Sequence, residues 1–177
     1  MKEHWCKFVV ILLVVGCGSS NRISNHLDVQ YQQLLSTVYS KKINIKLTRA
    51  LPSYFLVGGV NTRNSQSLVI EKIDMAGYPN FLFIYGNRLH LGLPFFETKR
   101  GYGTGQIVKT IEYKGLLKNF TIKPNAKKRR YVLHYKIKVN SDFYSFRITV
   151  NADRSVVMVV DKGRSSSVEY NGYLSNQ

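Results

Sequence analysis

The chain has 177 residues, with 26 Lys and Arg against 10 Asp and Glu, a formal net charge of +16, and only two cysteines. That length suits one domain with a sizeable core. Two cysteines exclude a disulfide-dense secreted scaffold.

The first element is a leader. Lys2 and Lys7 surround a short polar start, an apolar run follows from Phe8 to Val15, and Gly16-Cys17 ends it. A basic start, an apolar run too short to span a bilayer and a small residue before the cut describe an export signal. Val14-Val15-Gly16-Cys17 resembles the lipobox of bacterial lipoproteins. That resemblance implies a signal peptide over 1–16, removal of the leader and acylation (palmitate-like chains) of Cys17. Two or three acyl chains hold a protein durably where one holds it weakly. The chain from Cys17 on has 161 residues; loss of Lys2, Lys7 and Glu3 leaves 24 basic and 9 acidic side chains, a net charge of +15. Cys6 leaves as well, so once Cys17 is acylated no thiol remains for a disulfide, a metal or a nucleophile.

Residues 17–24 are small and polar and read as a tether between lipid and domain; residues 25–177 read as one β-rich domain. Leu27, Tyr31, Leu34, Leu35 and Val38 share a helical face, which predicts an amphipathic helix over about 25–40, capped by Ser24 or Asn25 and followed by Lys41 and Lys42. The period then changes to two. "KINIKLT" alternates as a half-buried strand, and "SYFLVGG" and "SLVIEKI" are further strand candidates. "NFLFIYGNRLHLGL" reads as a hairpin turning at Gly86-Asn87. "GQIVKTIEYKG" puts Ile107, Lys109, Ile111 and Tyr113 on one face, and "NFTIK" is a short strand.

In the last third, Tyr131, Leu133, Tyr135, Ile137 and Val139 alternate against Val132, His134, Lys136 and Lys138. Tyr144, Phe146, Ile148 and Val150 then face one way, and Asn151-Ala152-Asp153-Arg154 turns into "SVVMVVD", apolar on both faces like a central strand. "SVEYNGYL" closes the chain. These elements predict a mainly β fold: an antiparallel sandwich or barrel-like sheet with one N-terminal amphipathic helix.

The lipobox, the helix leading into an alternating strand, "HLGLPFFETKRGYGTG" and "FRITVNADRSVVMVVDKGRSSSVEYNGYL" together resemble a family of Bacteroidetes lipoproteins catalogued as domain of unknown function 4251. The matching features are Leu93-Pro94-Phe95, the glycines from Gly101 to Gly105, the polar turn before an apolar strand, and Tyr170-Asn171-Gly172. Phe95, Phe96 and Glu97 stand where the family has a tyrosine and a glycine, and Ala152 stands for the glycine of its turn. The resemblance implies an envelope lipoprotein of mainly β structure and brings no activity with it.

Chemistry is sparse. "GYGTG" precedes a strand, not a helix, and carries no Gly-Lys-Ser/Thr, so it is a turn and not a phosphate cradle. "KKRR", Lys127, Lys128, Arg129 and Arg130, is the densest charge. Each basic residue near an anionic leaflet contributes about 1 kcal/mol, which makes these four a candidate anionic-surface site; the plain alternative is a solvated loop guarding an edge strand. His134, Lys136 and Lys138 make a basic stripe or the wet side of a sheet. Twelve tyrosines interleave with the charge, and aromatic-plus-basic faces bind sugars or single-stranded nucleic acid. His26, His90 and His134 have no metal-ligand spacing, and no catalytic motif or cofactor motif occurs. A carboxylate pair, such as Glu112 with Glu97 or Glu169, is invisible in sequence.

The expectation is a non-enzymatic binding or interaction module in the bacterial envelope. Cys17 holds it to the membrane, facing the periplasm and at the outer rather than the inner membrane. Its partners are an envelope protein, a glycan or an anionic lipid, and not nucleic acid. The alternatives are an envelope hydrolase acting on glycan or peptidoglycan, and a lipocalin-like carrier of an apolar ligand, which requires a wide cavity in a closed barrel.

Overall fold

The computed structural model describes residues 21–53, 72–98, 106–163 and 166–175. The leader, Cys17, "SYFLVGG" beyond Ser53, most of "SLVIEKI" and "GYGTG" lie outside the described residues. Helix α1 (Asn21–Tyr39) starts earlier than periodicity suggested, taking in the last four residues of the expected tether. It buries Tyr31, Leu34 and Val38. Lys41, at φ 52, takes the left-handed conformation that ends a helix, and its N–H returns to the Val38 carbonyl at 3.2 Å.

Ten strands follow: β1 (Lys42–Ser53), β2 (Ile73–Asp74), β3 (Phe81–Tyr85), β4 (Arg88–Thr98), β5 (Gln106–Leu116), β6 (Thr121–Asn125), β7 (Arg130–Val139), β8 (Asp142–Asn151), β9 (Ser155–Lys162) and β10 (Ser166–Leu174). All pairings are antiparallel. They form one sheet in the order β5-β4-β3-β1-β10-β9-β8-β7-β6, with β2 added beside β1. The fold is therefore mainly β and antiparallel with one N-terminal helix. Of the two arrangements expected it is the barrel-like sheet and not the sandwich: one sheet, left open, since among the described residues its edges β5 and β6 do not pair.

The sheet curls on itself. Phe95 of β4 meets Tyr144 of β8 edge-on at 5.4 Å, and Tyr135 of β7 stacks on Phe146 at 4.7 Å. Tyr170 of β10 donates its hydroxyl to the Pro94 carbonyl of β4 at 2.5 Å, in the core. The side chains facing inward on β7 and β8 are those the alternation assigned, Tyr131, Leu133, Tyr135 and Ile137, then Tyr144, Phe146, Ile148 and Val150; on β9, expected to be apolar on both faces, Val156, Met158 and Val160 are the buried ones. Among the described residues, the rings of Phe95, Tyr131, Tyr135, Tyr144, Phe146 and Tyr170 pack into this interior. Tyr170→Phe removes the hydrogen bond across the curl and leaves a buried carbonyl unpaired. It is expected to cost about 2 kcal/mol, read as a lower urea midpoint at unchanged m; a change within error would mean the bond does not hold the curl.

The two ends of the curl differ. At one end, hydrogen bonds link the connections: Gly86 N–H to Lys41 O, Leu117 N–H to Asn87 O, Ala152 N–H to Arg129 O, and Leu174 N–H to Arg154 O. Helix α1, about 28 Å long by its residue count, lies across this end. Tyr31 stacks on Tyr131 of β7 at 4.9 Å, and the Lys41 ammonium reaches Asn87 of the β3–β4 turn at 2.9 Å. At the other end, β4, β8 and β9 bring charged side chains together.

Candidate functional site

Three charged or aromatic regions stand out. The first is at the end opposite the helix. Lys162 places its ammonium 2.5 Å from Glu97 and 2.8 Å from Asp142, and Lys109 reaches Glu97 at 3.2 Å. Burial alone would raise the Glu97 pKa, but hydrogen bonds from Lys162 and Lys109 outweigh it and lower the value. The hydrogen bond from Lys162 lowers Asp142 as well. Burial would lower Lys162, but Asp142 and Glu97 raise it. Both carboxylates are thus held ionised, with no proton to donate near neutral pH, whereas a glycosidase needs one carboxyl kept protonated. The pairs suggested by sequence do not form. Glu97 follows Leu91, Leu93 and Phe95 on the inner face, whereas Glu112, opposite Gly92, faces out. Glu169 is on β10, four strands from β5. Among the described residues no three His, Cys, Asp or Glu converge on a metal-sized site.

The second region is the "KKRR" segment, which the structure divides. Lys127 and Lys128 close a 3-10 turn (Ala126–Lys128) and are exposed; the Asn125 side chain accepts from the Lys128 N–H at 3.0 Å. Arg129, at φ 46, turns back and pairs with Asp28 of α1 at 2.5 Å. Arg130 opens β7 half-buried. Lys127 and Lys128 are therefore exposed to meet a surface, while Arg129 ties the loop to α1 and Arg130 is half-buried at the start of β7. His134, Lys136 and Lys138 do lie on the outer face of β7. Burial lowers the His134 pKa, and Arg147 and Lys123 lower it further, so it adds little charge at neutral pH.

The third region is an aromatic and basic patch on the outer face of β3, β4 and β1, which sequence reading did not single out. Phe81, Phe83 and Tyr85 point outward while Leu82 and Ile84 point in. The register places His90 beside Phe83, and Lys46 between Phe81 and Tyr173 of β10. Phe81 sits 5.6 Å from Phe83 and 4.9 Å from His90 between ring centres. Gly92 makes this possible: a Cβ there would lie 2.7 Å from the Phe81 ring, so the ring rests over the glycine. Phe83 is 40% exposed and Tyr85 65%, and the Lys42 ammonium stands 5.8 Å over the Tyr85 ring. Lys114 follows beyond His90 on β5. Period-two reading could not find this patch, because an apolar strand on both faces looks like a central strand.

Fold and surface together define an open, curled antiparallel sheet with a helix across one end, carrying an aromatic-basic outer face. The chain belongs to the family described as "Domain of unknown function (DUF4251)", whose model matches residues 26–174. Its fold is similar to that of a DUF4251 family protein from Bacteroides eggerthii DSM 20697, seen in a crystal structure. The two share 12% identity over 82% of this chain and 87% of that one, with a TM-score of 0.55. No curated protein matches the chain.

Proposed function

We propose that this is a lipoprotein of the bacterial envelope, acylated at Cys17, whose β body is a non-enzymatic binding module for an acidic glycan. The aromatic-basic patch on β3, β4 and β1 is the observation that carries this reading. Exposed rings offer flat apolar surfaces to the C–H faces of sugars, and Lys46 and Lys114 beside them suit carboxylate or sulfate groups. The net charge of +15 that remains once residues 1–16 are removed favours an anionic partner over a neutral one and speeds encounter with it. The domain faces the periplasm from the outer membrane. A hydrolase gains no support from Glu97 and Asp142, which Lys162 keeps ionised.

Isothermal titration of the full-length protein with polygalacturonate and with dextran tests the reading. Binding to the polyuronate should weaken with salt, and dextran should bind far less. Phe83→Ala is expected to weaken polyuronate binding about tenfold, the loss of one aromatic anchor. Lys46→Gln with Lys114→Gln should flatten the salt dependence. Equal binding of both polymers, or an unchanged affinity in Phe83→Ala, would refute it.

A further inference from the structure

The end of the molecule that carries helix α1 is, we infer, a docking face for an anionic lipid leaflet, so that the anchored domain lies down on its membrane instead of swinging from it. This rests on the acylation of Cys17 and is separate from the glycan patch, which faces sideways from the sheet.

Chain length makes the first part of the argument. Four residue steps separate Cys17 from Asn21, which span at most about 14 Å. Asp28 is a further seven residues along the helix, about 10 Å, and Asp28 holds Arg129 of the basic loop. The acyl chains therefore enter the bilayer within about 25 Å of Asp28, whose partner Arg129 adjoins Lys127 and Lys128.

Charge and apolarity make the second part. Lys118, Lys127, Lys128 and Arg154 are exposed at this end. Its acids among the described residues are Asp28, taken by Arg129, and Asp153, which accepts hydrogen bonds from Ser155. The carboxylates Glu97 and Asp142 lie at the opposite end. The helix turns its buried side to the sheet and leaves Val29 56% exposed, with Leu35 and Tyr39 also exposed. Leu116, beside Lys118, is exposed too. Apolar side chains among cations, on the side nearest the acyl chains, are the composition of an interfacial surface. A second copy of the chain would instead bring like charges together.

The test uses full-length protein processed by its host and reconstituted in vesicles of dibrominated phosphatidylcholine, with or without phosphatidylglycerol. Val29→Trp and Phe143→Trp report on the two ends, and the chain's own Trp5 leaves with the leader. Each basic side chain at the surface favours the docked state about fivefold. Bromine should therefore quench the indole at position 29 in anionic vesicles but not the one at position 143. Quenching should fall at 1 M salt, where the Debye length is about 3 Å. Lys118→Gln, Lys127→Gln and Lys128→Gln together, all exposed positions, should shift the docking equilibrium about 100-fold towards the undocked state. Equal quenching at both positions, or equal quenching in neutral and anionic vesicles, would overturn the docking face. Failure of the anchor reads differently: mass spectrometry would find residues 1–16 retained, and the protein would not float with neutral vesicles.

Discussion

Gly172→Val is expected to destabilise the domain by about 3 kcal/mol or to prevent its folding. Gly172 lies on β10 opposite Leu47, where the register of β1 slips between Leu47 and Arg49. The slip is a bulge: Thr48 has no opposite residue, its hydroxyl donates to the Asn171 carbonyl at 3.1 Å, and its carbonyl accepts from the Met75 N–H at 3.0 Å. A Cβ on residue 172 would lie 2.2 Å from the Lys46 carbonyl oxygen and 2.9 Å from Leu47 Cα. Both obstacles are backbone, held by the β1–β10 ladder at the centre of the sheet, so neither can swing away. Gly92→Ala is the informative contrast. There the obstacle is the Phe81 ring at 2.7 Å, a side chain on the outer face that can turn aside. It should cost less than about 1 kcal/mol while disordering the proposed glycan patch. Urea unfolding of both variants separates the cases. Equal losses would mean that the bulge does not fix the approach of β10 to β1.

The same bulge explains where the sequence was readable and where it was not. Strict alternation in Ile43, Ile45 and Leu47 marks β1 up to Thr48, and reading stops there because Ala50, not Arg49, is the next buried residue. The strand itself runs on to Ser53. Local features were legible: the hairpin turns at Gly86, with φ 59, and the β7-β8 pair follows its alternation residue by residue. The pairing of β1 with β10 joins residues more than a hundred positions apart, and no local pattern encodes it. Asp28 with Arg129 is hidden for the same reason, so the four-residue basic run reads as one patch when Arg129 is bound to the helix and Arg130 is half-buried. The ionic cluster did leave a trace. Glu97 continues the inward series of β4, Lys162 that of β9, Asp142 that of β8 and Lys109 that of β5. Charges that extend an inward apolar stripe on four strands signal a shared partner at one end of a curled sheet.

That cluster makes the second large prediction. Lys162→Met leaves Glu97, whose side chain is 16% exposed, with Lys109 as its remaining cation, and leaves Asp142 without an ammonium. Removing one partner of a fully buried pair costs about 3–5 kcal/mol; here both groups keep some water, and about 2 kcal/mol is expected. The pH dependence carries a sign that packing loss alone would not produce. In the parent protein the Glu97 pKa is lowered, so its contribution is present above the unfolded value of about 4.3 and is lost as pH falls through the folded value. Lys162 is raised, so its contribution holds below about pH 10.4 and is lost as pH rises through its own folded value. Stability should therefore have a plateau between about pH 5 and 10. In Lys162→Met the alkaline loss from this lysine disappears. Burial then works against the Glu97 carboxylate with less opposition, so its folded pKa rises and less stability is lost between about pH 5 and 3. The variant is thus weaker at neutral pH yet less acid-sensitive than the parent, and their urea midpoints draw together as pH falls. Parallel pH profiles would mean that Lys162 only fills space at that end of the sheet.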